Sequence, residues 1–197
     1  MDIYLVRHTP LNVESNTCYG QLDLEVDSNF SEHCLRLFPL FQKLKNSAVY
    51  TSPLGRCTLM AQYFYNEFSL IEDLREINFG DWEGKSWDEI PRTEIDQWAN
   101  NVCDFSPNNG ESLRELNHRV LRFLKDIEVK DKDRKSVVVF THAGPIRSIL
   151  AHYLKLDLTS TLKIAVDYSS ISKIIVDEEF TRVIFLNRVS SAAHEWA

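Results

Sequence analysis

Three short apolar runs in this sequence each lead into chargeable groups. "LVRHTP" at residues 5–10 sets Arg7 and His8 after the first, "AVYTSP" is followed by Arg56 after the second, and "VVVF" at 137–140 runs into Thr141 and His142. In open α/β sheets ligands bind beyond the carboxyl ends of the strands, where distant parts of the chain meet. Two arginines and two histidines gathered there would repel one another unless an anion lay between them, so the pattern predicts a bound phosphate or carboxylate. Each residue alone has an ordinary structural explanation; their shared position is what sets them apart. A metal centre suits them poorly, because zinc or a di-metal pair asks for carboxylate or thiolate partners and two guanidinium groups would repel the cation. The chain also has no G-x-x-x-x-G-K-S/T loop and no G-x-G-x-x-G turn, so no nucleotide cofactor is expected.

Positioning these groups requires strands and helices in alternation. Ile3–Val6 reads as a first strand. Residues 9–29 form a polar stretch without periodicity, beyond the ~12–15 residues after which connections are usually functional or disordered, and we read it as a functional loop. From Phe30 the positions Cys34, Leu37, Phe38, Phe41 and Leu44 follow helical spacing, and Pro39 among them predicts a kink or a split. A second strand ends at Thr51, with Ser52 as N-cap and Pro53 as first residue of a helix carrying Leu54, Cys57, Ala61 and Phe64.

Residues 70–92 are turn-rich and aromatic, with a helical turn at 86–90. Ser112 and Glu115 have the form of a capping box before a helix that buries Leu113, Leu116, Val120, Leu124 and Ile127. "VVVF" is apolar at every position, as in a parallel strand covered on both faces, and Pro145 opens a helix whose inner side carries Ile146, Ile149, Leu150 and Tyr153. Runs at 171–176 and 182–186 predict a hairpin at the sheet edge. The sum is an α/β fold: a three-layer sandwich with a mostly parallel central sheet flanked by helices, in a single domain over 1–197.

The net charge of −7 argues against nucleic-acid and anionic membrane surfaces as partners, since both are met by clustered Lys and Arg. No apolar run reaches the ~18 residues of a membrane span, and no basic, hydrophobic leader opens the chain; the expectation is a cytoplasmic protein with a small-molecule partner. Cys18, Cys34, Cys57 and Cys103 are scattered without a C-x-x-C pair and read as reduced, structural thiols. His33, His118 and His152 fall within helical patterns as structural or exposed groups, and His194 belongs to a tail.

Five segments in order, "LVRHT", "YTSPLGRC", "LREINFGDWEG", "NNGES" and "VVVFTHAGP", resemble the histidine phosphatase superfamily, which includes the cofactor-dependent phosphoglycerate mutases. The likeness runs from Ile3 to about Lys155. It implies a phosphoglycerate mutase-like fold and metal-independent hydrolysis of a phosphomonoester. In that scheme His8 attacks phosphorus to form a phosphohistidine, Arg7, Arg56 and His142 bind the equatorial oxygens, and Glu76 protonates the leaving alkoxide and later activates water. Asn12, Tyr19, Gly20, Gln21 and Ala143 are the candidate substrate-binding positions; Trp82 and Glu83 read as structural supports beside the pocket, and Glu111 as an acid favouring the dipole of the following helix, which the resemblance sets near the active-site rim.

"CYGQLD", with "INFGDWEG" and "NNGES", is similar to the α-ribazole phosphatases, which act on α-ribazole 5′-phosphate during cobalamin nucleotide-loop assembly. The opening departs from the commonest Arg-His-Gly-Glu by having Thr9-Pro10, and Asn12 stands earlier than the loop asparagine that holds phosphate in many members. Another small-molecule phosphatase, a phosphoglycerate mutase and a catalytically silent phosphate binder stay open as alternatives, as does a homodimer.

Overall fold

The opening apolar run forms β1 (Asp2–Arg7) in a computed structural model that describes residues 1–177 and 180–189; His194 of the expected tail lies outside them. After the long loop come α1 (Phe30–Lys43), β2 (Ala48–Thr51), α2 (Gly55–Phe64) and the short β3 (Ser69–Leu70). Turns of 3₁₀ helix at Glu72–Leu74, Gly80–Trp82 and Trp87–Glu89 lead to α3 (Arg92–Asn100). Then follow α4 (Leu113–Lys130), β4 (Ser136–Thr141), α5 (Ala143–Leu154), the single turn α6 (Leu158–Thr161) and a hairpin of β5 (Ile171–Val176) and β6 (Thr181–Arg188).

The strand order is β3-β2-β4-β1-β5-β6. β4 lies between β1 and β2 and parallel to both, with Arg7 opposite Thr141 and Thr51 opposite Phe140. β3 extends the parallel part, and the hairpin closes the other edge antiparallel.

Side chains alternate along a strand, so successive apolar residues serve two different cores. Ile3, Leu5, Val137 and Val139 pack with Leu116, Val120 and Leu124 of α4 and with Ile146 and Ile149 of α5. Tyr4, Val6, Val138 and Phe140 pack instead against Cys34, Leu37 and Phe41 of α1 and Cys57 and Met60 of α2. This is the three-layer arrangement that the uninterrupted apolar runs predict. Truncating one of these buried side chains, such as Leu124, to alanine costs ~2–5 kcal/mol.

The predicted capping box forms, as does the helical turn expected at 86–90. Ser112 and Glu115 close a capping box on α4, and Ser86 with Glu89 closes another on the turn at Trp87–Glu89. Three local expectations are corrected. α1 continues through Pro39; proline deprives the Leu35 carbonyl of its helical partner, but Leu35 is 58% exposed, on a face where water can replace it. Phe38 turns outward and Leu40 takes an inner position. α2 starts at Gly55 rather than Pro53. A residue before proline is held extended, and Ser52 duly prolongs the β2 ladder through its N–H to the Phe140 carbonyl at 2.9 Å. α3 was not foreseen in the turn-rich stretch. All four cysteines are free of disulfides, and among the described residues no helix is long and apolar enough to cross a membrane.

Candidate active site

The parallel register of β1, β4 and β2 brings their carboxyl ends to one edge. His8 N–H donates to the Thr141 carbonyl at 3.2 Å, so His8 stands beside His142, the two rings edge to face with centroids 5.1 Å apart. His8, Arg56 and His142 are all buried. Three chain segments that are distant in sequence thus meet at a single polar point under an otherwise apolar sheet.

The state of His8 follows from its partner. Its Nδ1 lies 2.8 Å from the Thr9 carbonyl oxygen, which can only accept, so Nδ1 carries the proton and Nε2 keeps its lone pair in the neutral ring. Burial holds the ring's pKa well below its ordinary value; the charges of Arg56 and then Arg7 push the same way, against the Thr9 bond. A neutral imidazole with a bare Nε2 is competent as a nucleophile.

His142 is fixed in the complementary manner. Arg56 Nε donates to its Nδ1 at 3.2 Å, which leaves Nε2 to donate to Ser52 Oγ at 2.8 Å. Burial, followed by Arg56, His8 and the more distant arginines, also depresses its pKa strongly. Arg56 further donates to the Leu22 carbonyl at 2.8 Å and the Gly20 carbonyl at 2.5 Å, pinning the long loop to α2. Asp23 from the same loop accepts from the Gly55 N–H at 2.9 Å, doing at the start of α2 what Ser52 was expected to do. Gly20 is required by this seat, because a Cβ there would lie 2.0 Å from the Ile77 carbonyl oxygen.

Arg7 donates from Nη1 to the Val166 carbonyl at 2.5 Å, and its guanidinium lies 3.8 Å above the Tyr168 ring. Tyr168 stands 5.4 Å from the His8 ring and its hydroxyl is hydrogen-bonded to that of Tyr19, so the two tyrosines help to enclose the imidazole. Arg7 Nε, Thr9 Oγ1, Ser169 Oγ and Ser170 Oγ are buried without a hydrogen-bond partner. All of them flank the end of β1, and a buried polar group left unpaired marks a place where a ligand or water belongs.

Glu76 is seated against the start of α5. Its Oε1 accepts from the N–H groups of Gly144 at 3.1 Å and Ile77 at 2.9 Å. The backbone beneath it is held by Gln21, whose Nε2 donates to the Glu76 carbonyl at 3.0 Å, and by Arg119 of α4, which reaches the same carbonyl at 2.9 Å. Glu111 pairs with Arg119 at 2.5 Å. Glu83 accepts the N–H groups of Gln21, Leu22 and Phe79, and Trp82 is buried with Nε1 on Glu94. Glu83, Trp82 and Glu111 therefore act on the framework around Glu76.

A cavity of about 270 Å³ opens beside this cluster, lined on its polar side by Arg7, Tyr19, Glu76, Ala143, Gly144 and Arg147. Of the residues singled out from sequence, Ala143 and Tyr19 border it, while Gly20 and Gln21 support its walls. Asn12 is elsewhere: its side chain is exposed and its N–H donates to the Glu25 carbonyl, on the outer turn of the loop. Tyr168, Arg119 and Arg147 escaped the reading, and Ser52 entered it only as an N-cap. Only Arg119 left a trace, as a cation at the border of the apolar stripe of α4.

The family model for the histidine phosphatase superfamily (branch 1) matches residues 3–189. The chain belongs to that superfamily. Among solved structures, that of the alpha-ribazole phosphatase from Shigella flexneri covers 96% of this chain and 98% of its own, with a TM-score of 0.87 at 21% identity, a likeness of fold. The adenosylcobalamin/alpha-ribazole phosphatase of Escherichia coli is 23% identical over 195 residues, 95% of this chain and 96% of that protein. Phosphoserine phosphatase 1 of Hydrogenobacter thermophilus is 26% identical over 193 residues, 94% and 91% respectively. This histidine phosphatase therefore resembles enzymes named for two different leaving groups.

Proposed function

We propose that this histidine phosphatase hydrolyses α-ribazole 5′-phosphate to α-ribazole and phosphate through a phosphohistidine on His8. The observation that carries the mechanism is the Thr9 carbonyl on His8 Nδ1, which leaves Nε2 as the only ring nitrogen able to attack. In the first step Nε2 forms a bond to phosphorus while the bond to the ribose oxygen breaks, and Glu76 gives that oxygen a proton. In the second step Glu76 takes a proton from water as the water oxygen displaces Nε2, which restores the imidazole. Arg7 and Arg56 neutralise the equatorial oxygens throughout. The unpartnered Arg7 Nε supplies one donor, Arg56 Nε turns from His142 Nδ1 towards the anion, and the Nε2–H of His142 turns to it from Ser52 Oγ.

The "CYGQLD" opening and the likeness to alpha-ribazole phosphatases support the substrate. The relative named for phosphoserine supplies the competing reading. Incubation with α-ribazole 5′-phosphate, L-phosphoserine or 3-phosphoglycerate in the presence of EDTA, followed by phosphate release and product analysis, decides among them. Release from α-ribazole 5′-phosphate with the highest kcat/KM is expected. A higher value with phosphoserine removes the substrate claim, isomer interconversion of 3-phosphoglycerate points to a mutase, and loss of turnover with EDTA removes the mechanism.

A further inference from the structure

We propose that Trp98 and Trp87 form an aromatic wall that selects phosphomonoesters whose alcohol carries a planar aromatic ring. This rests on the phosphohydrolase reading and names the residues that would set its specificity. The cavity beside Glu76 and Arg7 is walled on its other side by Phe79, Trp87, Trp98, Val102, Leu113 and Leu162. The aromatic cluster behind that wall already has a core: Trp82 is 2% exposed, stacks on Phe105 and donates to Glu94. Trp87 and Trp98 lie against each other with centroids 5.8 Å apart and planes 25° from parallel, and they stay only half-buried where they border the cavity. Large rings left open beside a reacting centre supply stacking area for a flat group.

The charges of the cavity favour the same class. Its lining holds Arg7, Arg147 and Glu76. Arg147 is tethered through Nε to the Ile164 carbonyl at 3.1 Å. A zwitterionic leaving group such as serine could set its carboxylate against Arg147, but its ammonium would find as carboxylate partner on that lining only Glu76, already engaged by the amides of Gly144 and Ile77. Desolvating an ammonium there without a dedicated partner is unfavourable, whereas an uncharged ring loses nothing on meeting the tryptophans. The benzimidazole of α-ribazole belongs to the favoured class.

Benzyl phosphate and cyclohexylmethyl phosphate test this directly, since both release an alcohol of similar size and differ in the planar ring. The wild type is expected to favour the benzyl ester in kcat/KM by about tenfold, the worth of one aromatic contact. Trp98→Leu is expected to bring the ratio close to one through loss on the benzyl ester, and Trp98→Phe to keep most of it. If Trp98→Leu does not fold, judged by circular dichroism, Trp87→Leu carries the same comparison. A wild-type ratio near one, or a ratio unaltered in the folded leucine variants, overturns the proposal.

If neither ester is hydrolysed, phosphate release from α-ribazole 5′-phosphate and L-phosphoserine tells whether the phosphohydrolase reading itself fails, and binding of benzylphosphonate against cyclohexylmethylphosphonate, followed by tryptophan fluorescence, decides the subsite separately. A benzyl preference that Trp98→Leu removes supports the wall, and equal binding sinks it.

Discussion

Arg119 grips Glu76 by its main chain: Nη2 donates to the Glu76 carbonyl at 2.9 Å, while Nη1 reaches the carbonyls of Asp73 and Arg75, both at 2.7 Å. The guanidinium is itself held by Glu111, and both side chains are largely buried, at 12% and 17% exposure. One planar fork thus fixes three carbonyls of the segment that presents the carboxylate, a task that the point charge of lysine cannot copy.

Replacing that fork should therefore misplace Glu76, the proton donor in the proposed mechanism. Arg119→Ala is expected to lower kcat by about 10²-fold on an alkyl phosphate, the cost of roughly an ångström of misplacement, with Arg119→Lys recovering little. On p-nitrophenyl phosphate, whose phenolate leaves without a proton, the loss should be much smaller. Equal losses on the two esters would reduce Arg119 to a purely structural role.

Gly144 is where the carboxylate meets α5, and a Cβ there would stand 2.3 Å from Glu76 Oε1. Gly144→Ala should push the carboxylate off its two amides while α5, already helical at that position, persists. A fall in kcat with an unchanged circular dichroism spectrum is the expected result; wild-type kcat would mean that Glu76 works from another position.

His8→Ala should abolish turnover, by roughly 10⁴-fold or more for loss of a nucleophile, without unfolding a site whose backbone ladder does not depend on the ring. Acid-labile phosphate trapped on the wild type and absent from the variant completes the test. Retained turnover would call for a different nucleophile.

Both site histidines have pKa values well below their ordinary ~6.5 in the fold, through burial first and Arg56 second. The unfolded chain takes up these two protons near ~6.5 while the folded protein does not, so below that pH the unfolded state binds more protons. Their contribution to stability is complete above ~6.5 and is lost as the pH falls. Imidazole resonances assigned with His8→Ala and His142→Ala should stay flat from about pH 8 to 6, and a midpoint near ~6.5 for either would contradict the buried, neutral pair.

How far the sequence foretold this site depends on how local each signal was. The strands were legible because both faces of β1 and β4 are covered, which writes an unbroken apolar run, and their ends then pointed to Arg7, His8, Arg56 and His142. The capping box of α4 was legible because its partners, Ser112 and Glu115, stand three residues apart. Ser52 was misread because its hydroxyl serves a histidine ninety positions away, and no local spacing reports that. α3 was hidden for a related reason: it buries no residue fully, so it lacks an inner stripe, and its Trp98 faces a cavity that only the assembled fold creates.

Arg56 holds the carbonyls of Gly20 and Leu22 with the same guanidinium that faces the two imidazoles. The order of the loop and the filling of the site thereby share one cation, so an oxyanion competing for it alters how tightly the chain is tethered near Leu22, a residue 41% exposed. The pace at which a protease clips that segment would then report occupancy, even for compounds the enzyme never turns over.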